Sequence, residues 1–221
     1  MAETQGKHAS YREQMVLHQL VQRGIEDQRV LDAFRVVPRE AFMGDVTPRE
    51  AYADAPRPIG HGQTISQPYI VAVMLEALGV QPTDRVLDIG LGSGYQTALL
   101  AKLAEHVYAI ERIETLTKRA DGILRELEID NVTTRTGDGT LGWPEHAPFD
   151  RIISGAGGPK IPEPWVDQLA EGGRLICPVG PEHTQHLMIG EKRDGILHET
   201  TGCGVRFVRL IGEEGWQPSG G

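Results

Sequence analysis

Three acidic residues, Asp88, Glu111 and Asp138, each sit at the end of a strand-like run, and glycines surround the first and the last of them. Around Asp88 the chain reads Val86-Leu87-Asp88-Ile89-Gly90-Leu91-Gly92-Ser93-Gly94-Tyr95. Glycines at Gly90, Gly92 and Gly94 allow positive φ and let the backbone approach a ligand with no Cβ in the way. The spacing is G-x-G-x-G. A dinucleotide fingerprint would place its third glycine, or an alanine, where Tyr95 stands. A pyrophosphate pressed on the following helix would lack that close packing. Asp88, beside the turn, suits a positively charged group better than a phosphate. Glu111 closes the next apolar run, where an acid grips a ribose diol. One carboxylate for an ammonium and one for a ribose describe S-adenosyl-L-methionine better than NAD. Asp138-Gly139 closes a third run and reaches toward an adenine amino group, although Gly-Asp-Gly alone is a common turn. Ser93 lies within the same glycine turn and joins the cofactor set.

A second group precedes these strands: Gly60-His61-Gly62-Gln63-Thr64-Ile65-Ser66-Gln67-Pro68-Tyr69. Backbone N–H groups and hydroxyls ahead of a helix N-terminus favour an anion such as a carboxylate. On spacing alone, the favoured reading of Ser66 is an N-cap, with Gln67-Pro68 opening the helix. His61 is either a second donor or a solvated loop histidine. His183 and His186 lie beside Gly180-Pro181 without further ligands, so no metal site is expected. Cys177 and Cys203 form no C-x-x-C and are expected to be buried free thiols.

The elements that must hold these residues follow from the pattern. Ser10-Tyr11-Arg12-Glu13 has the spacing of a capping box opening a helix that Gly24 closes. A second helix is expected over Gln28–Val36, a turn-rich linker over 55–60, and a third helix from Ile70 to Leu78. From Arg85, strands (Arg85–Ile89, His106–Ile110, Val132–Thr136, Arg151–Ser154, Arg174–Pro178, Leu187–Glu191, Cys203–Leu210) alternate with helices near Tyr95–Ala104, Ile113–Glu128 and Pro164–Leu169. This predicts an α/β doubly wound, mainly parallel seven-stranded Rossmann-like sheet with an N-terminal helical extension. No helix separates the last two strands, so they pair antiparallel at one end. We divide the chain into a helical segment with the acceptor loop (1–80), a cofactor-binding core (81–192) and a C-terminal strand and tail (193–221), within one compact domain. The tail from Gln217 is expected to fray.

The chain has 221 residues and a formal net charge of −9, which argues against duplex nucleic acid as a partner. The start is polar, with no apolar signal region and no run of transmembrane length. A cytoplasmic location is expected, without membrane association. No residue fixes the oligomeric state, and a monomer is the working expectation.

Gly62-Gln63-Thr64-Ile65-Ser66-Gln67-Pro68, followed by Asp88-Ile89-Gly90-Leu91-Gly92-Ser93-Gly94-Tyr95-Gln96, resembles the protein-L-isoaspartate (D-aspartate) O-methyltransferase family. Val37-Pro38-Arg39-Glu40-Ala41-Phe42 and the block from Leu169 to Gly180 resemble it too, and the likeness spans residues 10 to 216. The resemblance implies methyl transfer from S-adenosyl-L-methionine to the free α-carboxylate of isoaspartyl residues in damaged proteins. It implies Ser66 as the active-site residue. Ser66, Gln67, Pro68 and Tyr69 would line the cofactor, with Asp88 and the glycines at its methionine end, Glu111 at the ribose and Asp138-Gly139 at the adenine. The peptide would meet His61, Gln63, Thr64, Ile65, Val205, Arg206 and Phe207. The chain departs from the family at His61, often Tyr, at Arg209, commonly Pro, and in the glycine-rich turn 155–160. Two other readings stay open on the residues alone: a methyltransferase of this fold acting on a small-molecule acid, and a non-catalytic nucleoside binder.

Overall fold

The computed structural model describes residues 2–217. The expectation for the tail falls mainly on 218–221, outside the described residues. Helix α1 (Ala2–Met15) continues through a π-helical turn, Val16–Leu20, and a 3-10 turn, Val21–Arg23, until Gly24 stops it at φ 92°. The stop is where the sequence places it, but the start is not. Ser10 lies inside the helix, where its Oγ accepts a hydrogen bond from Gln14 at 3.5 Å. The Ser-x-x-Glu spacing also fits one helical turn, so it does not by itself mark a start. Met15, Val16 and Leu20 are buried, whereas Val21 is exposed.

Helix α2 (Gln28–Val36) begins at Asp27, whose carboxylate accepts from Arg29 N and Val30 N. A one-turn helix α3 (Pro48–Ala51) is opened by a reciprocal Thr47–Glu50 cap. Strands β1 (Arg57–Gly60) and β2 (Gln63–Ile65) then pair as a small antiparallel hairpin. The expected linker is therefore a hairpin, its tight end formed by Gly60, His61 and Gly62, all at positive φ. Helix α4 (Pro68–Leu78) follows, with Gln67 at its cap position. Ser66 precedes that position, so the N-cap reading of Ser66 is overturned.

The main sheet is built from β3 (Arg85–Ile89), β4 (His106–Glu111), β5 (Val132–Thr136), β6 (Phe149–Ser154), β7 (Leu169–Val179), β8 (Gln185–Arg193) and β9 (Ile196–Val205). Helices α5 (Tyr95–Ala101), α6 (Glu114–Glu126) and α7 (Glu163–Gln168) connect them. The order is β5-β4-β3-β6-β7-β8-β9. Strands β3 to β7 are parallel, and β8 is antiparallel to both its neighbours. This is the expected seven-stranded, mainly parallel sheet with its antiparallel pair at one edge.

Alternate side chains point to opposite faces of a strand and enter different cores. Val86, Val107, Ile153 and Ile176 pack with the N-terminal helices, α4 and α5. Leu87, Ile89, Ile152 and Leu175 pack with Trp143, Phe149 and Trp165 on the other face. The chain steps outward from β3 through β4 to β5, then returns to the other side of β3 at β6. Ligands of such sheets bind at that reversal, outside the carboxyl ends of the strands.

The last expected strand is corrected in extent. It ends at Val205, because the buried Gln185 side chain takes the Phe207 N–H at 2.9 Å. Residues 206–211 then cross over the strand ends. Gly157 N donates to Val208 O and Leu210 N donates to Gly157 O, each at 2.8 Å. Cys177 is buried in β7 and burial pushes its thiol up to about 12, but Cys203 is exposed, against expectation. It lies on β9, an edge strand without a covering layer.

Candidate active site

The reversal point is a cleft whose floor is made by the ends of β3, β4 and β6. Ile89, Gly90, Gly92, Ile110, Glu111, Gly139, Gly155 and Ala156 line it, and Val208 to Ile211 form its roof. The strand tips are tied together by backbone bonds. Gly90 N donates to Ile110 O at 2.8 Å, Gly155 N to Ile89 O at 2.9 Å and Gly137 N to Glu111 O at 2.9 Å. The turn between β3 and α5 has φ of 84°, 52° and 88° at Gly90, Gly92 and Gly94. Side chains rarely adopt such values, which explains the alternate glycines. At Gly139 the reason is space: a Cβ there would lie 2.7 Å from Ile89 Cγ2.

Glu111 is 6% exposed and lines the cleft. One carboxylate oxygen accepts from Gly92 N at 3.0 Å and the other from Ile113 N at 2.9 Å. A carboxylate has about four lone-pair sites, so acceptor capacity remains toward the cleft. Ser93, ahead of the Gly94 cap of α5, accepts from Tyr95 N at 3.2 Å. It lines a smaller cavity together with Ser66, Gly90, Gly92 and Gln96.

Asp88 is elsewhere. Its carboxyl is fully buried beneath the turn, accepting from Gln96 Nε2 at 2.8 Å and Thr97 Oγ1 at 2.6 Å. It therefore acts on the cleft through Gln96. Burial pushes it up from 3.8 to about 6; the bonds from Thr97 and Gln96 oppose the rise and the Glu111 charge adds to it. Because the folded-state pKa is the higher one, the folded chain holds the extra proton between these values. Stability from this group is then lost as pH rises through about 4 to 6. Asp88→Asn should accordingly gain about 2–3 kcal/mol relative to the parent between pH 4 and pH 7, read from urea unfolding at each pH.

Asp138 is also turned away from the cleft. It accepts from Thr140 N and Oγ1 and, through its other oxygen, from Glu213 N at 2.8 Å. Its carboxylate thus clasps the returning C-terminal segment, while Gly139 lines the cleft. Gly94 is packed against Ala120 and Phe42, and Pro68 is buried at the start of α4.

The hairpin and the segment after it form the opposite wall. Thr64 is shared by the cleft, the smaller cavity and two outer cavities. Ser66 lines both the small cavity at the glycine turn and an outer groove bounded by Gln67, Tyr69 and Val205 to Val208. Among the described residues, the Ser66 hydroxyl has no hydrogen-bond partner. Gln67 and Tyr69 lie on the groove side. Gln67 donates to Asp54, and the Tyr69 ring lies 3.4 Å from the Arg23 guanidinium carbon. Gln63 lines the cleft, and Ile65 is buried behind it. His61 is not brought to the site. It sits at the hairpin tip with φ 53°, bonded to Thr115 Oγ1 at 2.9 Å.

Sequence reasoning assigned no site role to Arg39, which is fully buried behind Ser66. It donates to Ala51 O and Ser66 O, each at 2.9 Å, and its guanidinium carbon lies 5.0 Å from the Tyr95 ring centre. Burial lowers its pKa, against the opposing pull of Tyr95. The only signal was an arginine beside a proline in a resembling block, which says nothing about where its fork points. Arg39→Met leaves two carbonyls without donors. We expect it to lose about 2 kcal/mol of stability in urea unfolding, with a fall in turnover beyond any loss of cofactor affinity. Arg112, Gly155, Ala156 and Arg209 were also not among the expected site residues, because they reach the cleft only through the folding of loops.

The cleft fits S-adenosyl-L-methionine on its own features. Glu111 offers a carboxylate to a diol, the glycine turn offers close backbone approach, and Ile89, Ile110, Ala156 and Leu210 offer apolar surface to a base. Among the described residues no three His, Cys, Asp or Glu side chains cluster to hold a metal ion. No described helix is long and apolar enough to cross a membrane.

Comparison with known proteins gives one consistent result. The model of the protein-L-isoaspartate(D-aspartate) O-methyltransferase family matches residues 11–215. A Syntrophobacter fumaroxidans protein named protein-L-isoaspartate O-methyltransferase 1 is 53% identical over 207 residues, 93% of this chain and 96% of its own length. A Trichlorobacter lovleyi protein named protein-L-isoaspartate O-methyltransferase is 52% identical over 93% of this chain and 95% of its own. Among solved structures, a protein-L-isoaspartate O-methyltransferase superposes with a TM-score of 0.85 at 31% identity, covering 92% of this chain and 67% of the other. A Plasmodium falciparum protein of the same description, solved in complex with S-adenosyl-L-homocysteine, gives 0.78 at 30% identity, over 92% of this chain and 98% of its own.

Proposed function

The chain belongs to the protein-L-isoaspartate(D-aspartate) O-methyltransferase family, and from that premise we propose how its cleft carries out the reaction. The reaction is S-adenosyl-L-methionine-dependent methyl transfer to the free α-carboxylate of an isoaspartyl residue, a step in protein repair. When bound, S-adenosyl-L-methionine supplies an electrophilic methyl carried on a sulfonium cation. Glu111 holds the ribose hydroxyls, and the Gly90–Gly92 backbone with Gln96 and Ser93 receives the amino-acid end. Gly139, Ile110 and Leu210 enclose the base. Asp88 and Asp138 act indirectly, Asp88 by orienting Gln96 and Asp138 by holding the segment that follows the roof through Glu213 N.

The observation that carries this reading is the place of Ser66. It stands where the small cavity at the glycine turn meets the outer groove. A carboxylate ordinarily titrates at about pH 4 and is ionised at neutral pH, so no base is needed. Ser66 has no histidine or carboxylate partner among the described residues and needs none. Its hydroxyl donates one hydrogen bond to the acceptor carboxylate and sets its position. The roof of residues 208–211 limits water around reactants whose opposite charges vanish together, which favours reaction over the hydrated ground state. Val205, Arg206 and Phe207 border the peptide on the other side.

The readings as a small-acid methyltransferase and as a non-catalytic binder give way to the family assignment. We place the enzyme in the cytoplasm, acting on polypeptides. Support comes from its two unpaired cysteines, which suit a reducing compartment. The test of the acceptor is a pair of peptides identical except for one isoaspartyl or one aspartyl linkage. Labelled methyl should enter the first as a base-labile ester and leave the second unlabelled. Equal labelling of both would refute the acceptor assignment.

A further inference from the structure

The acceptor side of the cleft carries charge opposite to that of the chain as a whole. The sequence has 31 Asp and Glu against 22 Lys and Arg. Yet the two outer cavities that open from Thr64 are lined by four arginines, Arg23, Arg112, Arg206 and Arg209, and by one acid, Glu182. Two of the four are engaged within the fold. Arg23 pairs with Asp54 at 2.5 Å, and Arg209 lies 3.7 Å from Glu182. Arg112 and Arg206 are exposed and, among the described residues, make no hydrogen bond or ion pair. They face one cavity from two elements, Arg112 just beyond the tip of β4 and Arg206 just beyond β9.

A polypeptide bound at Ser66 has its acceptor carboxylate engaged there, and the two guanidiniums remain for other anionic groups of the same chain. We propose that Arg112 and Arg206 receive Asp or Glu side chains flanking the isoaspartyl residue, so that the enzyme favours acidic segments of damaged proteins. This rests on the isoaspartyl reading of the site. A guanidinium presents a planar fork that matches a carboxylate. The rest of the chain does not cancel this local pattern. Charges more than about 8 Å apart in water are largely screened at physiological salt, so the acids on the far surface act weakly on a peptide in the groove. The competing use of the two arginines, as extra donors to the acceptor carboxylate itself, predicts no dependence on flanking charge.

The test uses three isoaspartyl peptides of equal length, flanked on both sides by Glu, Gln or Lys. For an exposed pair of charges the expected gain is about fivefold in kcat/KM for the Glu-flanked over the Gln-flanked peptide, with the Lys-flanked peptide lower again. Calorimetry on the protein loaded with S-adenosyl-L-homocysteine should rank the peptide Kd values in the same order. The double variant Arg112→Gln/Arg206→Gln should bring the Glu-to-Lys ratio close to one. Equal kcat/KM for the three peptides in the parent enzyme would overturn the proposal, as would a ratio that survives the double substitution. Methylation of none of the three would instead bring down the acceptor assignment, and this inference with it.

Discussion

Ser66→Ala is expected to lower kcat about 100-fold, the cost of misplacing a reactant by an ångström, while the Kd for S-adenosyl-L-homocysteine changes less than about threefold. The asymmetry follows from where Ser66 stands. Among the described residues its Oγ has no partner, so removing it breaks no bond there and opens only a small gap. The backbone of residue 66 stays held by Arg39 through the Ser66 carbonyl. In the proposed role the hydroxyl does not stabilise charge in the transition state, because charge is lost there; it fixes the carboxylate along the line of attack. Single-turnover kinetics with saturating cofactor, paired with calorimetry, separates the two effects. A variant with normal single-turnover rate and weakened cofactor binding would remove Ser66 from the acceptor side.

Glu111→Ala should produce the opposite split. It removes the carboxylate proposed for the ribose and leaves the Gly92 and Ile113 N–H groups without acceptors in a residue environment that is 6% exposed. Two lost charge-assisted bonds to the ribose hydroxyls amount to about 3 kcal/mol, a rise of about 100-fold in Kd for S-adenosyl-L-homocysteine, whereas the two unpaired N–H donors are unpaired with and without ligand and lower stability instead. At saturating cofactor, kcat should recover to within about fivefold, since Glu111 does not touch the acceptor. Glu111→Gln keeps a carbonyl acceptor and should fall between. An unchanged Kd in both variants would contradict the ribose assignment.

The sheet and its cleft were readable because they rest on strong local rules. An apolar run ending in an acid, with glycines at alternate positions, leaves little choice but strand, tight turn and helix. Three strand ends marked by acids in succession imply the parallel sheet that brings Gly90, Glu111 and Gly139 to one edge. What local rules do not contain is how a side chain is used after the chain returns from far away. Asp138 was read as facing a base, but Glu213 N, 75 residues later, occupies one of its oxygens. Asp88 was read as facing the ligand, whereas Thr97 and Gln96 cover it from the next helix. The strand expected to reach Leu210 stops at Val205 because Gln185, from the neighbouring strand, takes the Phe207 N–H. The mid-helix Ser10 failed for a different reason, since its capping spacing is also a helical spacing. Arg39 shows the limit most clearly: a buried cation that grips the Ser66 backbone leaves no periodic trace in the chain.

The most direct measurement is a crystal structure of the protein with S-adenosyl-L-homocysteine and an isoaspartyl peptide bound together. The account predicts the ribose on Glu111, the sulfur facing the small cavity at the glycine turn, and the peptide's free α-carboxylate within hydrogen-bonding distance of Ser66 Oγ. A peptide carboxylate bound away from Ser66, with that hydroxyl turned toward solvent, would contradict it.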